Sequence, residues 1–174
     1  GLGHTISGLN VNGVGGYKGL FGQISAATVQ NVGLLGGSVS GTSSYVGSLV
    51  GRANSSSLIS NSYATGTVSN TSAYTGGLVG HLSSSTITNS YATGNVNQSV
   101  SPTSLTRYAG GLIGRAQDST ISNSYATGTV KAYQYSGGLV GQLTIGATTT
   151  SSILNSHATG DVSATGPLSS YAGG

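Results

Sequence analysis

Asn61-Ser-Tyr-Ala-Thr-Gly66 is written again from Asn89 to Gly94 and from Asn123 to Gly128, and once more, with one change, as Asn155-Ser-His-Ala-Thr-Gly160. Between the copies runs a second phrase, Tyr-x-Gly-Gly-Leu-Val-Gly, as from Tyr74 to Gly80 and from Tyr135 to Gly141. Two phrases alternating with a period of roughly 30 residues mark an array, in which each unit buries its apolar edge against its neighbours. The expected fold is a solenoid, and function is directed to surfaces and rows of side chains, away from a deep pocket.

The array is registered on Tyr17, Tyr45, Tyr74, Tyr108, Tyr135 and Tyr171, each leading into glycine. Short apolar triplets such as Leu78-Val79-Gly80 come next, then a Ser-rich link and an apolar residue (Val29, Ile59, Ile87, Ile121, Ile153). Each unit closes on a valine: Val39, Val68, Val96, Val130 or Val162. The stretch from Ile6 to Val11 reads as a shortened unit.

Three short strand-like pieces per unit, separated by Gly, Asn and Ser, fit one coil of a parallel β-helix. A helix pair does not fit, because no 3.6-residue period is present and each interior glycine would cost a helix about 1 kcal/mol. The fold class is all-β, a β-solenoid of about five to six coils with roughly 30 residues per coil. Residues 1–174 read as a single segment. Gly1 opens mid-phrase and Tyr171-Ala-Gly-Gly174 begins another phrase, so the expectation is an internal slice of a longer repeat protein.

Parity within the unit carries a further deduction. Ile59 and Val68 are nine residues apart, as are their counterparts, and an odd separation on a flat strand would place them on opposite faces. Both are apolar, so the chain must turn between them, and Asn61 and Gly66 are the available devices. A corner at Asn61 sends Ala64 and Val68 inward and Tyr63 outward; the opposite phase, with tyrosine inside, is the alternative.

Outward tyrosines would form a column of Tyr63, Tyr91 and Tyr125 ending in His157, a candidate contact row able to grip sugar rings or another shaft through flat aromatic faces. The same residues also serve as register marks between coils. Thr65, Thr93, Thr127 and Thr159 form a second candidate row. Its companion, Thr67, Asn95, Thr129 and Asp161, is interrupted, which weakens an ice-binding lattice. Links from the closing valine to the next tyrosine are longest after Val96 and Val162, where the only prolines, Pro102 and Pro167, occur. Pro102, Arg107 and Pro167 therefore mark candidate recognition loops. Asn54, Asn70 and Asn97 fit the N-glycosylation triplet, which also arises by chance in an Asn- and Ser-rich chain.

Composition removes other classes. Only 4% of residues are charged, against roughly 25% in ordinary soluble domains. Disorder is disfavoured, because 36% of the chain is apolar and the net charge is only +3. Lys18, Arg52, Arg107, Arg115 and Lys131 are scattered singly, so nucleic acid is not an expected partner. Asp118 and Asp161 are the only acids, leaving no carboxylate pair and no calcium cluster. A hydrolase triad from His4, His81 or His157 with an aspartate and a serine lacks a Gly-x-Ser-x-Gly elbow. The Gly-Gly-Leu-Val-Gly runs lack the Lys-Ser/Thr ending of a phosphate loop. No catalytic residue, metal ligand or cofactor is assigned, and no stretch is apolar enough to insert in a membrane.

Gly-Gly-Leu-Val-Gly followed by Ser-x-Ile-x-Asn-Ser-Tyr-Ala-Thr-Gly-x-Val resembles the GLUG repeat. That repeat occurs in large bacterial surface proteins, including filamentous haemagglutinin-like adhesins of two-partner secretion systems and some immunoglobulin A peptidases. The resemblance implies a secreted, elongated, right-handed β-helix shaft at the bacterial cell surface. It names no receptor. The peptidases of the family use a His-Glu-x-x-His zinc motif, and this chain has no glutamate. The expected role is that of a non-catalytic adhesive shaft with host or matrix glycans or proteins as partners, or alternatively a subunit that assembles with copies of itself into filaments.

Overall fold

A computed structural model describes residues 4–42, 44–99, 106–146, 150–166 and 171–173. They form a parallel β-solenoid in which every strand pair is between one coil and the next. Five walls make up each coil. In the coil that starts at Tyr45 they are Tyr45–Gly47, Val50–Asn54, Leu58–Ser60, Tyr63–Ala64 and Thr67–Asn70, here walls one to five. Stacked, they give three six-stranded and two five-stranded sheets.

The three pieces expected per unit are thus five, because two of them break. Tyr-x-Gly and Val-Gly-x are separated at the Gly-Gly-Leu step, and Tyr-Ala is separated from the closing valine strand at Thr-Gly. Register is nevertheless as the phrases predict: Tyr45 pairs with Tyr74 and Tyr74 with Tyr108, Ile59 with Ile87, and Val68 with Val96.

The corner expected at Asn61 is present and recurs in each coil. Asn31, Asn61, Asn89, Asn123 and Asn155 all have φ between 48° and 56°, the left-handed region that asparagine tolerates better than most residues. That single residue reverses the alternation, so Ile59, Ala64 and Val68 are all fully buried while Tyr63 faces out, half-buried. A second corner uses the same device between walls two and three, at Ala26, Ser56, Ser84 and Asp118.

A kinked corner cannot continue the backbone ladder, and the serine that follows each kink takes over. Ser62 N–H donates to Ser90 Oγ at 3.2 Å, Ser90 N–H to Ser124 Oγ at 3.2 Å, and Ser124 N–H to Ser156 Oγ at 3.1 Å. Each hydroxyl in turn donates to the carbonyl two residues before it, as Ser90 Oγ does to Thr88 O at 2.8 Å. At the other corner Ser57, Ser85, Ser119 and Ser151 form the same chain. These serines are buried or half-buried, so leaving their backbone partners unmatched would cost about 1–3 kcal/mol each.

The interior is divided. A larger compartment between walls two, three and four holds Leu49, Ile59, Leu78, Leu82, Ile87, Leu112, Ile113 and Ile121. Full burial of each such side chain contributes about 1.5–3 kcal/mol. Two smaller clusters lie between walls five and one, around Val39, Val46 and Val68 and around Val96, Ala109 and Val130. The divider is a seam of glycine. A Cβ on Gly80 would stand 2.6 Å from Val46 N, and one on Gly114 2.5 Å from Thr75 N. Walls one and two therefore meet backbone against backbone, a contact only glycine permits.

The corner between walls five and one absorbs the longest insertion. Val96–Gln98 and Tyr108–Gly110 stay paired with Val130 and Tyr135 although eleven residues separate Val96 from Tyr108. Pro102 and Pro167 lie outside the described residues. Among the described residues no helix is long and apolar enough to cross a membrane.

Candidate functional site

On wall four the predicted aromatic column is present. Tyr63 and Tyr91 stack with ring centroids 4.8 Å apart and planes 2° apart, Tyr91 and Tyr125 at 4.7 Å and 5°, and Tyr125 and His157 at 5.4 Å and 10°. The coil spacing of a parallel sheet, about 4.8 Å, is close to the contact distance of offset aromatic rings, so in-register tyrosines turn their faces to one another. Below, the ring of Tyr63 lies over Gly33, where a Cβ would strike it. The flat faces are consumed within the stack, and the row presents ring edges and hydroxyls outward. Burial first, then the phenols of Tyr125 and Tyr63, raises the pKa of the Tyr91 hydroxyl above its ordinary 10.

The threonine row is uneven. Thr65 and Thr93 are half-buried, Thr127 and Thr159 exposed, and Thr65 Oγ1 accepts the N–H of Gly36 at 2.8 Å. In the companion row Asn95 Oδ1 accepts the N–H of Thr129 at 3.0 Å. Of the glycosylation triplets, Asn97 is exposed and Asn54 half-buried. Asn70 is buried, with Nδ2 donating to Thr75 Oγ1 at 3.1 Å and Oδ1 accepting the N–H groups of Thr71 and Ser72. Arg107 does not project: it is buried with its guanidinium 5.0 Å from the ring centre of Tyr133. Beside that ring, Asn97, Gln98, Lys131 and Thr165 line a shallow cavity of about 390 Å³.

The residues weighed as a triad are dispersed. His4 and His157 sit at opposite ends of the wall-four stack, His81 is on wall two, Asp161 is exposed before the wall-five strand, and Asp118 accepts the N–H of Gly146 at 2.5 Å. Among the described residues no three His, Asp or Glu side chains gather to hold a metal ion.

A second arrangement escaped the sequence reading. Tyr17, Tyr45, Tyr74, Tyr108, Tyr135 and Tyr171 make a longer column on wall one, with centroids 4.9–5.7 Å apart. Across the glycine seam, wall two carries a polar row in register, Gln23, Arg52, His81, Arg115 and Gln142. The guanidinium of Arg52 lies 5.8 Å from the ring centre of Tyr45 and that of Arg115 5.6 Å from Tyr74, while His81 stacks on Tyr45 at 5.3 Å and meets Tyr74 at 5.4 Å. Burial, then the charges of Arg115 and Arg52, lowers His81 from 6.5 to about 4. The signal was available as a constant offset: Arg52, His81, Arg115 and Gln142 each fall seven residues after their wall-one tyrosine. Read singly, the cations looked scattered.

The family model described as the GLUG motif matches residues 42–69, 71–97, 106–131 and 132–163, well over half of the chain. Each match opens just before a wall-one tyrosine and closes just after a wall-five valine, so one motif is one coil. No curated protein and no solved structure matches the chain.

Proposed function

This chain belongs to the GLUG-motif family, and on that footing we propose that it forms part of the non-catalytic shaft of a bacterial cell-surface or secreted fibre, serving as stiff spacer and multivalent contact surface. The observation that carries this reading is the uniform register: equivalent residues stand in columns on all five walls, from Tyr17 to Tyr171 on wall one. Parallel ladders and corner serines tie each coil to the next, which supports stiffness along the axis. Columns of identical side chains at a fixed rise support repeated weak contacts, whose sum is avidity without a deep site. Host or matrix glycans or proteins are the proposed partners, and the extracellular face of the bacterium the proposed setting. The low charge supports this as well, since solubility then rests on Ser, Thr and Asn side chains that also hydrogen-bond to sugars.

Electron microscopy of the isolated protein combined with binding to matrix-protein and glycan arrays tests the proposal. Monodisperse short rods that bind immobilised ligands are the expected result. Long filaments formed from copies of the chain, without ligand binding, would replace it with self-assembly. A gap between melting and freezing points at micromolar protein would replace it with ice binding.

A further inference from the structure

We propose that the face along the glycine seam, where the wall-one tyrosines adjoin the row Gln23, Arg52, His81, Arg115 and Gln142, binds the acidic groups of a linear polysaccharide lying along the solenoid axis. This gives the contact role a ligand class and rests on the shaft reading for its biological setting alone.

Three features of this face argue for it. Arg52, His81 and Arg115 occupy one position on three successive coils, and the electrostatic influences on His81 come from the two arginines, with no carboxylate among them. The chain's two acids are placed elsewhere, Asp118 at the corner to wall three and Asp161 ahead of wall five. Secondly, Arg52 and Arg115 are half-buried, Arg115 donating to Tyr74 Oη at 3.5 Å, so each guanidinium keeps an exposed part to which an arriving oxyanion can supply an acceptor. Thirdly, His81 is 5% exposed and held neutral, so the two guanidinium groups are fixed cations two coils apart, roughly 10 Å along the axis.

The pairing of the strands beneath this face selects a sugar polymer over an acidic peptide. From Arg52 to Arg115 every strand of walls one and two is already paired with the coils above and below, so an extended peptide gains no backbone ladder here and leaves its own amides unmatched. A polysaccharide has no such groups. Its hydroxyls meet phenol edges and the amides of Gln23 and Gln142, and its acidic groups meet guanidinium forks, which suit planar oxyanions.

The test uses the isolated protein and calorimetry with four probes of equal length: an oligogalacturonate, a sulfated oligosaccharide, a neutral malto-oligosaccharide and oligoglutamate. Binding of either acidic sugar, with the neutral sugar and the peptide at least about tenfold weaker, is the expected result, and which acidic sugar binds identifies carboxylate or sulfate as the source. Arg52→Gln and Arg115→Gln, which place at 52 and 115 the residue found at 23 and 142, should each weaken binding about tenfold while circular dichroism is unchanged. In the bound state the imidazole of His81 should titrate at higher pH, followed by NMR, because an adjacent anion favours the charged form. The proposal is overturned by equal binding of neutral and acidic sugars, by tighter binding of oligoglutamate, by no binding at all, or by folded arginine variants that bind as well as the parent. Rods that bind matrix ligands but no acidic sugar would sink this inference and leave the shaft reading standing.

Discussion

Acidification should weaken this solenoid through one side chain. His81 is packed between the rings of Tyr45 and Tyr74, with Arg52 and Arg115 on the neighbouring strands, and it titrates at about 4 in the folded chain against 6.5 ordinarily. Between those values the unfolded chain carries a proton on His81 that the folded chain rejects. Stability is therefore fully present above pH 6.5, falls as the pH drops through the window, and levels off below about 4. At 1.36 kcal/mol per pH unit, the gap from 6.5 to about 4 amounts to about 3 kcal/mol. His81→Gln is the matched control, because glutamine occupies the same position at Gln23 and Gln142. Urea unfolding followed by far-UV circular dichroism at pH 7 and pH 4 reads the difference between the two chains, and any loss common to both belongs to other groups. Equal losses in the parent and His81→Gln would refute the assignment.

Other perturbations address the coil itself. Gly94→Ala drives a methyl group into the carbonyl of Gly66 on the coil below, and a loss of about 1–3 kcal/mol is expected, seen as a lower thermal midpoint. Ser90→Ala deprives the N–H of Ser62 of its partner and removes one of the two donors to the carbonyl of Thr88, which keeps the N–H of Asn61; about 1–3 kcal/mol should be lost, and amide exchange at Ser62 should accelerate. Asn89, with φ of 49°, should accept glycine with little change, whereas Asn89→Val should cost about 1–2 kcal/mol in denaturant unfolding. Ile87→Ala opens a cavity in the larger compartment and should cost about 2–5 kcal/mol by the same measurement.

How far the chain could be read in advance differs between its parts. The odd spacing from Ile59 to Val68 demanded a corner, and Asn61 with its positive φ supplies it. The outward position of Tyr63 followed from that corner. The use of its ring did not, because whether a face is free depends on the distance to the next ring up the stack, which the phrase does not contain. The two serine ladders were visible as repeated letters, but their purpose appears only when the corner is seen to break the backbone ladder. Arg52 and Tyr45 illustrate the other limit, since an offset of seven residues on separate strands carries no contact until the chain folds back.

Repetition, parallel stacking and the place of each corner are local properties, written into every unit, because a solenoid coil needs only its immediate neighbours to be stable. Contacts between walls are of a different kind. They depend on walls one and two closing backbone to backbone over Gly51, Gly80 and Gly114, and that closure brings two guanidinium groups, an imidazole and a column of tyrosines together on one face. The physical reason is that side-chain chemistry in this fold is set by proximity around the coil, and proximity there is made by the absence of a Cβ at the seam.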